Sequence, residues 1–243
     1  MKKLLSSLAR IAFLALALGA PAFAAEIDDF NAALEKASAH NRVAIGYLRT
    51  GNIDLASLEI ERMRDVWTDT ASRFGKPFGP FAAHAQLYTN TMVDVQTRLV
   101  AAQIMMETGR PDNARESLSG IRAGLATLRK TAGVPVLADC IGESNDAMDR
   151  LYVFNDRELD WGKPDVASQI ADTAKAYGSI LDRCDGMAER ETRQSPDFRR
   201  LIDGAKAGLS LIPETIAARD AGRLHRILIE LRSFDNLLAF RYG

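Results

Sequence analysis

A short sequence that ends one helix and starts the next recurs four times, and it limits what this chain can fold into. The copies are Gly51-Asn-Ile-Asp54-Leu-Ala56, Gly109-Arg-Pro-Asp112-Asn-Ala114, Gly162-Lys-Pro-Asp165-Val-Ala167 and Gly222-Arg-Leu-His225-Arg-Ile227. Glycine ends a helix in the left-handed conformation, whereas Pro and Asp suit the first turn of the following helix. Each copy therefore predicts the bend of an antiparallel helical hairpin.

The spacing of these glycines predicts an all-α chain of four long hairpins, because 58, 53 and 60 positions separate them. Each interval holds two long helices and a connection. Apolar residues at the helical period predict about eight helices. Their expected bounds are Ile27–Thr50, Ile53–Arg73, Ala83–Thr108, Pro111–Thr131, Ile141–Trp161, Pro164–Asp185, Pro196–Ala221 and Leu224–Phe240.

The predicted hairpins span about 27–73, 83–131, 141–185 and 196–240. Pro213 falls inside the seventh helix, where it is expected to kink or split that helix. We expect the hairpins to form one continuous all-helical domain, residues 25–243.

The first 24 residues predict a secretory signal peptide. Lys2 and Lys3 precede an apolar run, 11–18, and Ala22-Phe-Ala24 is a cleavage site of the Ala-x-Ala type. Cleavage after Ala24 predicts a periplasmic protein with a net charge of about −4. Later apolar stretches are shorter than the ~18 residues of a membrane span. This charge recruits neither nucleic acid nor an anionic membrane.

The two cysteines, Cys140 and Cys184, predict a disulfide. Each lies 22 positions from Gly162, so folding the chain at that glycine brings the two sulfurs to the same level. Exported proteins meet an oxidising environment. In the chain-entropy model such a bond stabilises by roughly 3–4 kcal/mol.

The first turn resembles a known repeat. The segment Ala44-Ile-Gly46-Tyr47-Leu-Arg-Thr-Gly51-Asn-Ile-Asp54-Leu-Ala56 is similar to the centre of a tetratricopeptide repeat. That resemblance implies a superhelical array whose concave side binds a protein or peptide. The period here is longer than the family's ~34 residues, and two packed four-helix bundles are the alternative architecture.

The motifs of common enzymes are missing from the chain. It has no Gly-rich phosphate loop, no Gly-x-Ser-x-Gly and no His-Glu-x-x-His, so we expect no catalysis and no catalytic residues. It also lacks the Cys-x-x-Cys-His of covalent haem attachment. We therefore expect no cofactor and no dedicated metal ligands. Haem or metal binding remains the alternative, with ligands from His40, His84 or His225 and a methionine such as Met63, Met92 or Met148.

Polar residues concentrate in the first and last hairpins. In the first hairpin we expect a binding site made of Arg42, Tyr47, Arg49, Arg62 and Trp67. Arginine is the usual bidentate partner of carboxylate and phosphate, so these residues suit an acidic peptide or a small anion. The same charges also fit a solvated helix face, and a part-buried arginine without an acidic partner would favour the site.

These patterns together predict an exported helical-repeat protein that binds a periplasmic protein or peptide. The alternative function is a periplasmic haem- or metal-binding bundle in redox or metal homeostasis.

Overall fold

The chain is all-helical in the computed structural model, which describes the backbone of residues 20–243 and the side chains from Ala24 onward. The predicted signal peptide lies outside the described residues except for its last five positions, which begin the first helix. The helices are α1 (Ala20–Thr50), α2 (Ile53–Arg73), α3 (Ala85–Glu107), α4 (Pro111–Thr131), α5 (Leu137–Tyr152), α6 (Val166–Met187), α7 (Arg190–Gln194), α8 (Pro196–Ser210), α9 (Ile212–Ala217) and α10 (Ala221–Tyr242). A 3-10 helix, Gly79–His84, precedes α3.

The first two predicted turns are confirmed. Gly51 and Gly109 have positive φ angles of 76° and 69°. The residue after each glycine donates its backbone N–H to a carbonyl five positions back: Asn52 to Tyr47 at 2.9 Å and Arg110 to Met105 at 2.8 Å. This hydrogen bond closes a helix end of the Schellman type, so α1–α2 and α3–α4 are tight antiparallel hairpins.

The third predicted turn is wrong, because α5 ends at Tyr152 and the connection to α6 occupies residues 153–165. Two aspartates of this segment hydrogen-bond to nearby backbone: Asp156 accepts from the N–H of Glu158 and Asp160 accepts from that of Gly162, both at 2.9 Å. Such local bonds compete with helix formation. Gly162 therefore lies in a side-chain-stabilised turn and does not end a helix.

The fourth predicted turn is displaced by three residues. Gly222 lies inside α10, and Arg219 takes the left-handed conformation with φ 50°. The next residue, Asp220, donates its N–H to the carbonyl of Thr215 at 3.2 Å, as in the first two turns. Asp220 also caps α10 by accepting from the N–H of Arg223 at 2.8 Å. The turn has the expected geometry but lacks its glycine.

The chain divides into two compact units between Val134 and Pro135. In the first unit, α1 packs against α2 and α4, and α3 packs against the same two helices, which closes a ring of four. This is the arrangement of a four-helix bundle. Its core is closed at one end by an aromatic cluster: Phe30, Phe74, Phe78, Phe81 and Tyr88.

The second unit also closes a ring, in which α5 and α8 each pack against α6 and α10. The predicted split at Pro213 is confirmed, because α8 ends at Ser210 and α9 begins at Ile212. Proline is accepted in the first turn of α9, where its missing N–H has no partner to lose. The predicted single domain, residues 25–243, stays a prediction.

The predicted disulfide is confirmed: Cys140 and Cys184 are bonded, with Cα atoms 5.4 Å apart. Cys140 lies near the start of α5, and Cys184 lies near the end of α6. The two helices run antiparallel, so these positions meet at the end of the pair opposite the 153–165 connection. The disulfide covalently links α5 and α6 of the second unit.

One charged side chain is fully buried in the second unit. Asp235 of α10 accepts from the Asn145 amide at 2.6 Å and lies 3.7 Å from Arg232, which also pairs with Asp149 at 2.5 Å. Tyr177 of α6 is buried beside them, and its pKa is raised first by burial and then by the Asp235 carboxylate. A buried charge is stable only when it is paired, so this cluster fixes how α5, α6 and α10 pack.

Candidate binding surfaces

Two of the predicted site arginines pair with acidic side chains in the first unit. Arg42 is only 14% exposed and lies 2.6 Å from the Glu35 carboxylate on the same helix. Arg62 lies 2.6 Å from Glu59 within α2. Neither is the unpaired, part-buried arginine that would mark an anion site.

Glu59 joins α1 to α2. Its second carboxylate oxygen lies 2.7 Å from Nδ1 of His40 on α1, so the carboxylate accepts from both His40 and Arg62. Burial alone would raise the pKa of Glu59, but the hydrogen bonds from His40 and Arg62 outweigh it and hold the pKa below its ordinary value. Of these contacts, the one between His40 and Glu59 joins the two helices, and Arg62 adds an ion pair within α2.

The other three predicted site residues have separate environments. Trp67 is fully buried in the first core, and Tyr47 packs half-buried at its edge. Arg49 is exposed at the end of α1 and borders an open groove of about 450 Å³. The other side of the groove is the start of α4, where Arg115 pairs with Asp112 at 3.2 Å. The five predicted residues therefore lie in three different environments: two form ion pairs, two pack in or beside the core, and one borders the groove.

The outer face of α3 has a different character. Three apolar side chains on it are exposed, Val93 by 59%, Val100 by 42% and Ile104 by 49%, and Thr97 lies exposed between them. Spacings of four, seven and eleven residues place all four on one side of the helix. We call Val93, Thr97, Val100 and Ile104 the α3 face.

The α3 face is uncharged. Every exposed residue of α3 from Ala85 to Ile104 is neutral. The flanking charges are half-buried and pair with each other, Asp94 to Arg98 at 2.7 Å. The Arg98 guanidinium also donates to the Ser117 carbonyl of α4 at 3.4 Å, which draws this charge toward the bundle. A neutral strip remains along the helix.

The second unit has an apolar stripe of a different kind on α10. Ile229, Leu237 and Phe240 are exposed there, but the exposed charged residues Arg226, Glu230 and Arg241 lie among them. Isolated apolar side chains among charges are ordinary at protein surfaces. The α3 face therefore stands apart from the α10 stripe.

A sequence signal for the α3 face exists, although the predicted site did not include it. Helical spacing identified Val95 and Leu99 as core positions, and both are buried. Val93, Val100 and Ile104 make the opposite side of the same helix apolar as well. A helix that is apolar all round is normally buried, so the exposure of Val93, Val100 and Ile104 departs from the usual pattern.

The three histidines lie in three separate environments within the described residues. His40 contacts Glu59, His225 accepts from Arg157 at 3.0 Å, and His84 ends the 3-10 helix. Among the side chains described, no group of three or more His, Cys, Asp or Glu is arranged to hold a metal ion. Haem or metal binding stays a prediction.

Comparison with known proteins gives no relative for this chain: no protein-family model, no curated protein and no solved structure matches it. Between residues 20 and 243, none of the helices combines the length and the apolar character that crossing a membrane requires. The tetratricopeptide resemblance stays a prediction about the turns.

Proposed function

We propose that the protein is an exported binding protein that engages a periplasmic protein or peptide through the α3 face, without catalysis. The observation that carries this proposal is the uncharged exposed surface of α3, with Val93, Val100 and Ile104 in line along it. The secretory leader predicted from residues 1–24 supplies the compartment.

The geometry of the α3 face suits a partner that presents an apolar helix. From Val93 to Ile104 the strip extends about 16 Å at 1.5 Å per residue, which is about three helical turns. Amphipathic helices bind through side chains at this kind of spacing. Depletion of charge is typical of the centre of an interface, whereas a solvated helix face normally carries charges.

The proposal is tested by photocrosslinking in cells that produce the protein. A benzophenone amino acid replaces Thr97 at the centre of the α3 face, and in a matched control it replaces Ser233, exposed between Ile229 and Leu237 on α10. We expect a discrete adduct from position 97 and none from position 233. Equal adducts from both positions, or none from position 97, would contradict the proposal.

A second pair of variants tests whether formation of the position-97 adduct depends on the apolar side chains of the α3 face. Val100→Lys on α3 and Ile229→Lys on α10 change residues of nearly equal exposure, 42% and 43%. Surface changes of this kind alter stability by less than about 0.5 kcal/mol. Val100→Lys is expected to remove the position-97 adduct, and Ile229→Lys is expected to leave it intact.

The alternative function has its own readout. An absorption spectrum and a metal analysis of the purified mature protein would show a Soret band or near-stoichiometric metal if the protein were a haem or metal carrier. A colourless, metal-free protein is the result expected for the α3-face proposal.

A further inference from the structure

Residues 153–165 cross one end of the second unit as a connection without regular helix. Three apolar side chains of this connection, Phe154, Leu159 and Trp161, pack against the second core. Arg157 ties it to α10, because its Nε–H donates to Nε2 of His225 at 3.0 Å.

This contact requires a neutral imidazole. Arginine can only donate, so Nε2 of His225 must present its lone pair and the ring proton must be on Nδ1. Nδ1 is buried and has no hydrogen-bond partner among the described residues. A second proton would turn Nε2 into a donor and set two positive charges against each other.

Carboxylates on the elements around His225 already accept hydrogen bonds. Asp156 and Asp160 of the connection each accept a backbone N–H, as Asp220 does at the start of α10. The helices packed against α10 carry acids that pair with arginines of α10: Asp149 of α5 with Arg232, Asp197 of α8 with Arg241, and Glu214 of α9 with Arg223. Asp235, on α10 itself, bonds to Asn145 of α5. Arg157 is the charged group that is hydrogen-bonded to the His225 ring.

We propose that Arg157 and His225 form a pH-sensitive latch: protonation of His225 repels Arg157 and releases residues 153–165 from the second unit. Release exposes Phe154, Leu159 and Trp161 as an apolar surface in acid. In the closed connection two buried polar atoms, Oδ1 of Asn155 and Nε1 of Trp161, have no hydrogen-bond partner within residues 24–243. Opening lets water bond to both atoms, which lowers the cost of release.

The two tryptophans of the chain make the latch measurable. The protein is labelled with 5-fluorotryptophan, and its two ¹⁹F resonances are followed from about pH 7.5 to 5, where imidazoles titrate. Trp161→Phe assigns the lines. We expect the Trp161 line to shift through a one-proton transition and the Trp67 line, from the first core, to stay fixed.

Two variants decide whether His225 is responsible. His225→Gln keeps an acceptor for Arg157 but does not titrate, and Arg157→Gln removes the repulsion, so both are expected to abolish the Trp161 transition. His40→Gln is the matched control and is expected to retain it. A Trp161 line that does not move in the unaltered protein, or a transition that persists in either of the first two variants, overturns the latch.

Discussion

Arg219 occupies a left-handed backbone conformation, φ 50°, which glycine holds in the first two turns. A side chain there is strained by about 1 kcal/mol or more, because its Cβ approaches the following carbonyl oxygen. Arg219 is exposed. The turn tolerates this strain because Asp220 caps α10 directly after it.

Replacing Arg219 with glycine is therefore expected to stabilise the protein. We expect the free energy of unfolding to rise by about 0.5–1 kcal/mol in urea denaturation, after the greater freedom of glycine in the unfolded chain is deducted. Ala218→Gly is the matched control: its neighbouring site has φ −77°, and glycine there should lower stability by about as much. Equal effects of the two variants would show that the left-handed conformation is not strained.

Glu59 gives a pH-dependent prediction at the same scale. Its pKa is lower in the folded protein than in the unfolded chain, so its stabilisation is present above the unfolded pKa and is lost as the pH falls through the folded value. Glu59→Gln should lower the free energy of unfolding by about 1–2 kcal/mol at pH 7. The difference from the unaltered protein should shrink as the pH falls through the folded pKa of Glu59, as measured by urea denaturation in increasingly acidic buffers.

Glu61→Gln is the control for this prediction, because Glu61 is exposed two positions away on α2. Its effect should stay within about 0.5 kcal/mol at every pH. A Glu59→Gln penalty that stays constant as the pH is lowered from 7 into the acid range would mean that the carboxylate charge does not contribute through His40 and Arg62.

At the scale of helices, local sequence predicted most boundaries because the signals that end and start helices are themselves local. Ile53–Arg73 and Pro111–Thr131 agree with the structure at both ends. The predicted end at Trp161 lies nine residues beyond the observed end at Tyr152, because Asn155, Asp156 and Asp160 favour turns before Gly162 is reached. The Cys140–Cys184 pairing was predictable because two antiparallel helices are enough to bring these positions together, although the chain does not fold at Gly162 and α5 has 16 residues against 22 in α6.

The candidate site was harder to predict, since it depends on which face of each helix meets which neighbour. Trp67 continues the spacing of Ile60 and Met63, and this places it in the core. The ion pair of His40 with Glu59 joins two helices 19 positions apart in sequence, and no local pattern specifies it. Exposure of Val93, Val100 and Ile104 likewise depends on the packing of α3 onto α2 and α4.

At the scale of the whole molecule, each compact unit contains its own closed ring of helices and its own core. Each is about 110 residues long, which is enough to fold without help from another domain. We expect fragments 20–134 and 135–243 to fold separately, each with a helical circular dichroism spectrum and a cooperative thermal transition.

The disulfide provides the internal control for this prediction, because it lies entirely within the second unit. Reduction should lower the free energy of unfolding of fragment 135–243 by about 3–4 kcal/mol and leave fragment 20–134 unchanged. In the intact chain, two thermal transitions are expected, and reduction should lower the midpoint temperature of the one that belongs to the second unit. If the intact chain unfolds in one transition that moves as a whole, and neither fragment folds, the chain is the single domain that its sequence predicts.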